Sequence, residues 1–468
     1  MFSGDSPDPS ILREGDDFYL VHSSFEYYPG LLIWHSTDLI NWIPIANALN
    51  KYVGSVWAPD IVKYGEKYYI YFPASGTNYV VWADNIEGPW SDPIELKVTM
   101  IDPGHVVDDK GNRYLYFSSG AYVPLTKDGL AIEGDVVHTY YGWEIPRDWS
   151  IECFCMEGPK LFKRGEYFYL AVAEGGTAGP VTGHMVISAR SKSPLGPWEN
   201  APHNPILRAQ SNNEKWWSVG HATIFDDAKD NWYMIFHGYE NGYYNMGRQS
   251  MIVPIEWTED GWYKIQDDIE IAKPIKLPDL ENKNTEKYQL SDSFEGDKLG
   301  PQWRFFKEFG EGRYELTGDE LVVNGKGSSV PDCSPMLIIP TNHSYTASVE
   351  LELEGDAIGG LVLFYNENGY SGILADKENI LTNLRGWQFP TEKNAINRKV
   401  YLRLKNIENT VDMYYSLDGK EWTKTENSFE VSAYHHNILG GFMSLRIGLC
   451  SMGEGKVIFK NFKYEPIK

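Results

Sequence analysis

Asp8 stands between two prolines in Ser6-Pro7-Asp8-Pro9-Ser10. Proline restricts the backbone on either side and removes amide donors, so a short carboxylate is held there with little freedom. Asp102 in Ile101-Asp102-Pro103-Gly104 and Glu157 in Glu157-Gly158-Pro159-Lys160 have similar settings, each shortly before an aromatic strand. Three carboxylates at equivalent corners of a repeated unit can converge on one pocket. Cleaving a glycosidic bond by inversion takes a carboxylic acid that protonates the leaving oxygen. It also takes a carboxylate that deprotonates water on the opposite face, about 6.5–9.5 Å from the first. On that reading Asp8 is the base. Glu157, with the longer reach, is the acid, and Asp102 raises its pKa by like-charge proximity and orients it. Taken singly, each carboxylate fits a solvated or turn-capping acid better; their shared phase reverses that.

Other side chains are more ambiguous. His221, in Val219-Gly220-His221-Ala222, fits either the axis of a channel, beside water or a bound cation, or a satisfied core position. Arg248 is a lone cation among glycine and aromatic residues, placed to bond sugar hydroxyls or to pair with a carboxylate. No His/Cys/Asp cluster has the spacing of a catalytic metal site. There is no nucleophile elbow, P-loop or dinucleotide fingerprint, and Gly175-Gly176-Thr177 is too short to signal phosphate binding.

The elements that position these residues repeat with a period of roughly 50 residues. A Gly or Asp turn leads into an aromatic strand at Asp17-Phe18-Tyr19-Leu20, Gly65-Glu66-Lys67-Tyr68-Tyr69, Gly111-Asn112-Arg113-Tyr114-Leu115, Gly165-Glu166-Tyr167-Phe168-Tyr169 and Asp230-Asn231-Trp232-Tyr233. Five copies of short strands with turn signals and no amphipathic helix predict a five-bladed β-propeller. If the segments preceding the aromatic strands are the innermost ones, Asp8, Asp60, Asp102, Glu157 and His221 all line one channel. After about residue 275 a linker-like stretch follows. Alternation in Val349-Glu350-Leu351-Glu352-Leu353, the apolar run Leu361–Tyr365, and a hairpin signal at Asp418-Gly419 predict a jelly-roll sandwich. The chain is therefore all-β, with a propeller over 1–285 and a concanavalin-like β-sandwich over 290–468.

Composition sets the outer limits. A length of 468 residues calls for two domains. The net charge of −23 argues against nucleic acid or an anionic membrane as partner and fits a neutral oligosaccharide or polysaccharide. No apolar stretch is long enough for a transmembrane helix. No signal peptide is visible, which predicts a cytoplasmic protein if the numbering is full length, and a periplasmic or secreted one if a leader was removed. The four cysteines form no disulfide scaffold, and Cys153 and Cys155 read as too close for an ordinary bridge. Homo-oligomerisation is left open.

In these motifs the chain resembles glycoside hydrolase family 43, from Ser6 to about Trp262. The resemblance implies an inverting, exo-acting enzyme with Asp8 as general base, Asp102 as pKa modulator and Glu157 as general acid. It further implies that Phe25 and Trp57 wall the subsite for the terminal sugar, and that Thr177 and Arg248 bind substrate. His221 would sit at the propeller centre near a calcium ion or water, with no cofactor required for turnover. The C-terminal region resembles the sandwich of the β-xylosidase and α-L-arabinofuranosidase branches. The expected activity is release of terminal α-L-arabinofuranosyl or β-D-xylosyl residues from hemicellulose oligosaccharides. The alternatives are a non-catalytic carbohydrate-binding protein, or an endo-arabinanase or galactosidase of the same fold. The long insert from Tyr122 to Cys155 departs from a minimal blade and is expected to shape the pocket or its leaving-group side.

Overall fold

The computed structural model describes residues 3–277, 280–285, 287–393 and 399–468. They form two compact units. The first comprises Ser6–Asn241 and Arg248–Lys287; the second comprises Tyr288–Lys468 with the short segments Ser3–Asp5 and Gly242–Gly247, which a single cut along the sequence would assign to the first.

The first unit is a five-bladed propeller of antiparallel sheets. The innermost strands are Ser10–Glu14, Asp60–Tyr64, Gly104–Val107, Glu157–Arg164 and Trp216–Asp226. Each pairs with the aromatic strand that follows it: Asp17–Val21, Lys67–Ala74, Arg113–Phe117, Tyr167–Glu174 and Trp232–Glu240. Each inner strand packs against its two neighbours, and the fifth closes on the first. Closure is made by backbone and hydroxyl groups: Ser6 N donates to Arg248 O at 2.9 Å, and Thr223 Oγ1 donates to Pro9 O at 2.8 Å. The aromatic strands are buried on both faces, which is why they read as near-continuous runs rather than alternating ones. Rings stack within a blade, as Phe162 on its cross-strand partner Tyr169 at 5.1 Å, and between blades, as Tyr71 on His105 at 5.6 Å.

Hairpin register makes Ser10, Asp60, Gly104, Lys160 and Thr223 equivalent, opposite Val21, Tyr71, Tyr116, Ala171 and Ile235. Two residues earlier in each blade stand Asp8, Ala58, Asp102, Gly158 and His221. Four of these five have left-handed backbones, with φ of 58°, 58°, 59° and 53° at Asp8, Asp102, Gly158 and His221. A non-glycine residue is rarely found there, and it persists only where the surroundings enforce it. The sequence repeat is thus a repeated bend at the head of the inner strand. Glu157 is one residue out of phase, because Gly158 takes the bend in its blade.

The second unit is a β-sandwich organised on two long antiparallel strands, Tyr345–Asn366 and Arg446–Pro466. The alternating run at Val349 and the apolar run at Leu361 are two parts of the first of these. The turn at Asp418-Gly419 joins Thr410–Ser416 to Thr423–Glu430, with Ser416 Oγ accepting from Gly419 N at 2.9 Å.

Candidate active site

Asp8 is buried and fully engaged. Arg248 grips it with two bonds, Nη1 to Oδ1 at 2.9 Å and Nη2 to Oδ2 at 3.2 Å, and Ser23 Oγ donates to Oδ2 at 2.5 Å. His237 Nδ1 and His221 Nδ1 stand 3.3 and 3.4 Å from Oδ1. Asp8 N donates to His237 Nδ1 at 3.0 Å, so that nitrogen carries no proton. Burial is the largest influence and works against the Asp8 charge, but Arg248 together with His221 and His237 outweighs it and holds the carboxyl well below its ordinary value. Of the two roles open to Arg248 in the sequence, pairing with a carboxylate is the one the structure displays.

Asp102 and Glu157 go the other way. Burial, reinforced by the Asp8 charge, pushes Asp102 up to about 7, against one bond from Gly158 N to its Oδ2 at 3.0 Å. Burial and the neighbouring Asp102 and Asp8 push Glu157 well above the carboxylate range. Glu157 is the more open of the three, its side chain 21% exposed, with His184 Nδ1 4.0 Å from Oε1. One site therefore holds an ionised carboxylate beside two that keep their protons toward neutral pH. Below them lies a polar layer in which Lys160 Nζ donates to Asp60 Oδ1 and Pro59 O at 2.8 Å and to Pro103 O at 3.2 Å.

Three histidines, 184, 221 and 237, gather beside Asp8, their rings 5.4 and 5.7 Å apart in sequence along the stack. Burial lowers all three, His221 to about 3 and His237 to about 4, so they are neutral. Glycines admit these rings: a side chain on Gly220 would collide with His184, and one on Gly158 would lie 2.8 Å from His221 Nε2. Asp8, His221 and His237 offer three ligand atoms within 4.8 Å of one another. They do not fit a directly held calcium ion, which wants six to eight oxygens. This set is nitrogen-rich, and Arg248 already occupies the single carboxylate. The buried Nε2 atoms of His221 and His237 lack partners among the described residues, which suits contact with water.

Trp57 is 39% exposed at the end of the second blade's entry loop, its Nε1 donating to Ser55 Oγ at 3.0 Å. Phe25, at φ 49°, is only 1% exposed and is bridged to Val56 by paired backbone bonds. Thr177 is buried, and its Oγ1 has no partner among the described residues.

The sequence reading missed His184, His237 and Ser23 as site residues. His237 left a signal, a titratable group inside the apolar strand Trp232–Glu240. It also misjudged two cysteines: Cys153 and Cys155 are joined as a disulfide, their Cα atoms 5.2 Å apart. Cys155 bends to φ 36°, which draws the two Cα atoms closer than the roughly 6.6 Å that two steps of an extended strand would span. Part of the insert lies against a blade: Tyr140, Trp143, Trp149 and Ile151 pack on the fourth.

A propeller whose inner strands bring three carboxylates of opposed protonation together has the makings of a glycoside hydrolase. Residues 1–263 match the family model for glycosyl hydrolases family 43, and residues 291–465 match the β-xylosidase C-terminal concanavalin A-like domain. The chain belongs to family 43 and is a glycoside hydrolase. A non-reducing-end α-L-arabinofuranosidase of Bacteroides ovatus is 29% identical over 97% of this chain and 91% of its own length. A β-xylosidase of Bacillus subtilis is 27% identical, over 99% and 98%. The solved family 43 protein BlXynB of Bacillus licheniformis superposes with a TM-score of 0.89 at 26% identity, covering 100% of this chain and 99% of that one.

Proposed function

We propose that this enzyme is an inverting, exo-acting hydrolase that releases terminal β-D-xylosyl or α-L-arabinofuranosyl residues from hemicellulose oligosaccharides. The observation that carries it is the split protonation of the site, Asp8 ionised beside protonated Asp102 and Glu157. Carboxylates whose environments drive their pKa values apart take the acid and base roles. Glu157 gives its proton to the leaving oxygen as the glycosidic bond breaks and its electron pair passes to that oxygen. Asp8 takes a proton from water as the water oxygen bonds to the anomeric carbon from the opposite face. Asp102 keeps Glu157 protonated by opposing a second nearby charge. Arg248 and Ser23 fix the base, and the neutral histidines surround it without neutralising it. Both pentose activities are carried by the names of the relatives, an arabinofuranosidase, a β-xylosidase and a xylosidase/arabinosidase.

The test is to follow 4-nitrophenyl β-D-xyloside and α-L-arabinofuranoside hydrolysis by proton NMR. The first sugar released should carry the anomeric configuration opposite to the substrate. Asp8→Ala and Glu157→Ala should abolish turnover of unactivated oligosaccharides. Retention of configuration, or full activity in either variant, refutes the roles.

A further inference from the structure

The insert ends in Glu152-Cys153-Phe154-Cys155, immediately before Met156 and Glu157. It continues the inner hairpin of the fourth blade. Glu157 opposes Ala173, and two residues further along Glu152 N donates to Gly175 O and Gly175 N donates to Phe154 O, both at 3.0 Å. Glu152 and Phe154 flank that bridge and both are exposed, Phe154 to 44%. The Glu152 carboxylate is aimed by Ala178 N, which donates to Oε2 at 2.9 Å from the residue after Thr177. Its aliphatic part lies on Gly176 and Gly179, where any side chain would collide with it. Gly142 touches the Phe154 ring in the same way, and beside it Tyr141 is 79% exposed. A carboxylate and two open aromatic rings thus stand together at the rim of the acid, held by a built backbone ladder. The disulfide between Cys153 and Cys155 fixes the strip that carries them.

We infer that Glu152, Phe154 and Tyr141 form the subsite for the sugar on the leaving-group side of the cleaved bond. The aromatic rings cover a flat C–H face of that sugar, and Glu152 accepts hydrogen bonds from its hydroxyls. The assignment rests on the glycosidase reading above and adds to it which residues meet the departing sugar. Position supports it: the acid must protonate the oxygen joining the two sugars, so the departing sugar lies against the residues bordering Glu157. The Glu152 charge also acts on Glu157, adding to the upward push on its pKa.

The experiment compares a substrate that fills this subsite with one that does not. Xylobiose places a sugar there; β-D-xylosyl fluoride has a single atom as leaving group. Phe154→Ala and Glu152→Gln should each lower kcat/KM for xylobiose about tenfold while changing the fluoride less than twofold. Tyr141→Ala, at the most exposed position, should show a smaller loss of the same kind, and it carries the test if the other variants fail to fold. Equal losses on both substrates, or none on either, overturn the assignment. If the wild type turns over neither substrate, the β-xylosidase arm of the proposed function fails, and calorimetry makes the comparison instead. The wild type should then bind xylobiose more tightly than xylose, and Phe154→Ala should erase that preference; an unchanged preference overturns the subsite.

Discussion

Arg248 holds Asp8 by a bidentate ion pair in a buried setting, and the two residues come from opposite ends of the propeller sequence, 240 positions apart. The pair therefore closes the ring of blades as well as setting the charge of the base. Removing one partner of a buried pair leaves an uncompensated charge and costs about 3–5 kcal/mol. Arg248→Met should lower stability by that order in urea denaturation. In the protein that still folds, the Asp8 pKa rises, since burial is then opposed only by the weaker contributions of His221 and His237. The acid limb of the pH profile should move to higher pH, and kcat should fall by about 100-fold or more, in the range of losing general base catalysis. An unmoved acid limb would show that Asp8 is not the group titrating there.

The pH dependence of activity follows from the same split. Under the proposed roles, turnover requires Asp8 ionised and Glu157 protonated. The acid limb should lie below the ordinary carboxylate range, and the alkaline limb at or above neutrality, as a property of the coupled Asp102–Glu157 pair. Asp102→Asn removes a like charge from beside Glu157, so its pKa falls and the alkaline limb should shift to lower pH. Measuring kcat/KM for an aryl pentoside between about pH 4 and about pH 9 checks both statements: the wild type should show no acid limb within that span, and the alkaline limb should move down in Asp102→Asn.

Stability responds to Asp102 in the opposite sense to activity. Its folded pKa of about 7 lies above the ordinary value of 3.8. The folded state thus binds this proton more tightly than the unfolded chain. The stabilisation is fully present below the unfolded value and is lost as pH rises through the folded one. Asp102→Asn should therefore unfold at nearly the same temperature as wild type near pH 4 and at a higher temperature near pH 8, where wild type carries the buried charge. Thermal melts at the two pH values test it, and the histidine contributions cancel in the difference. A variant less stable at pH 8 would mean that the Asp102 charge is compensated.

The carboxylates were legible in the sequence because a local device betrays them. Asp8 and Asp102 share a left-handed bend set by flanking prolines and repeated at each inner strand, and repetition in phase is visible without coordinates. Ser23 and His237 had no such mark. Ser23 reaches Asp8 through the hairpin of its own blade, in which Ser10 pairs with Val21, whereas His237 does so only because closure of the ring carries a distant strand to Asp8. Spacing also misled where the chain is not extended. On a regular strand Cys153 and Cys155 would share a face with their Cα atoms about 6.6 Å apart, and the bend at Cys155 shortens this to 5.2 Å. Arg248 was open to two readings for a related reason: its partner is chosen by the fold, not by its neighbours.

Chelation discriminates between a catalytic and an incidental cation. The ligand set of two imidazoles and one carboxylate already held by Arg248 is unsuited to calcium by direct contact. After dialysis against EDTA and return to metal-free buffer, kcat should stay within about twofold of its starting value, because the acid and base roles are filled by side chains. Loss of activity that calcium restores would place an ion in the working site, held through water by the buried histidine nitrogens.

Lys160 makes the last of these arguments. It is the cation of the layer beneath the carboxylates, and its three bonds reach Asp60, Pro59 and Pro103 in two other blades. Pro103 directly follows Asp102, so the ammonium group fixes the backbone that carries that carboxyl relative to Glu157, three residues before Lys160 in its own strand. Lys160→Met strips Asp60 of its cation, leaving it the bonds from Ser10 Oγ and His105 N, and should cost about 3–5 kcal/mol. Lys160→Met with Asp60→Leu removes both charges and should recover much of that stability, since the desolvation of each ion disappears along with their attraction. Activity should separate from stability in the double variant. The carbonyl of Pro103 loses its donor and the Lys160 charge no longer draws the Asp102 pKa down, so kcat should remain depressed by about tenfold, in line with the cost of a displaced catalytic group. Denaturation curves and kcat measured on the same preparations decide it: recovery of both together would make Lys160 a structural pin alone.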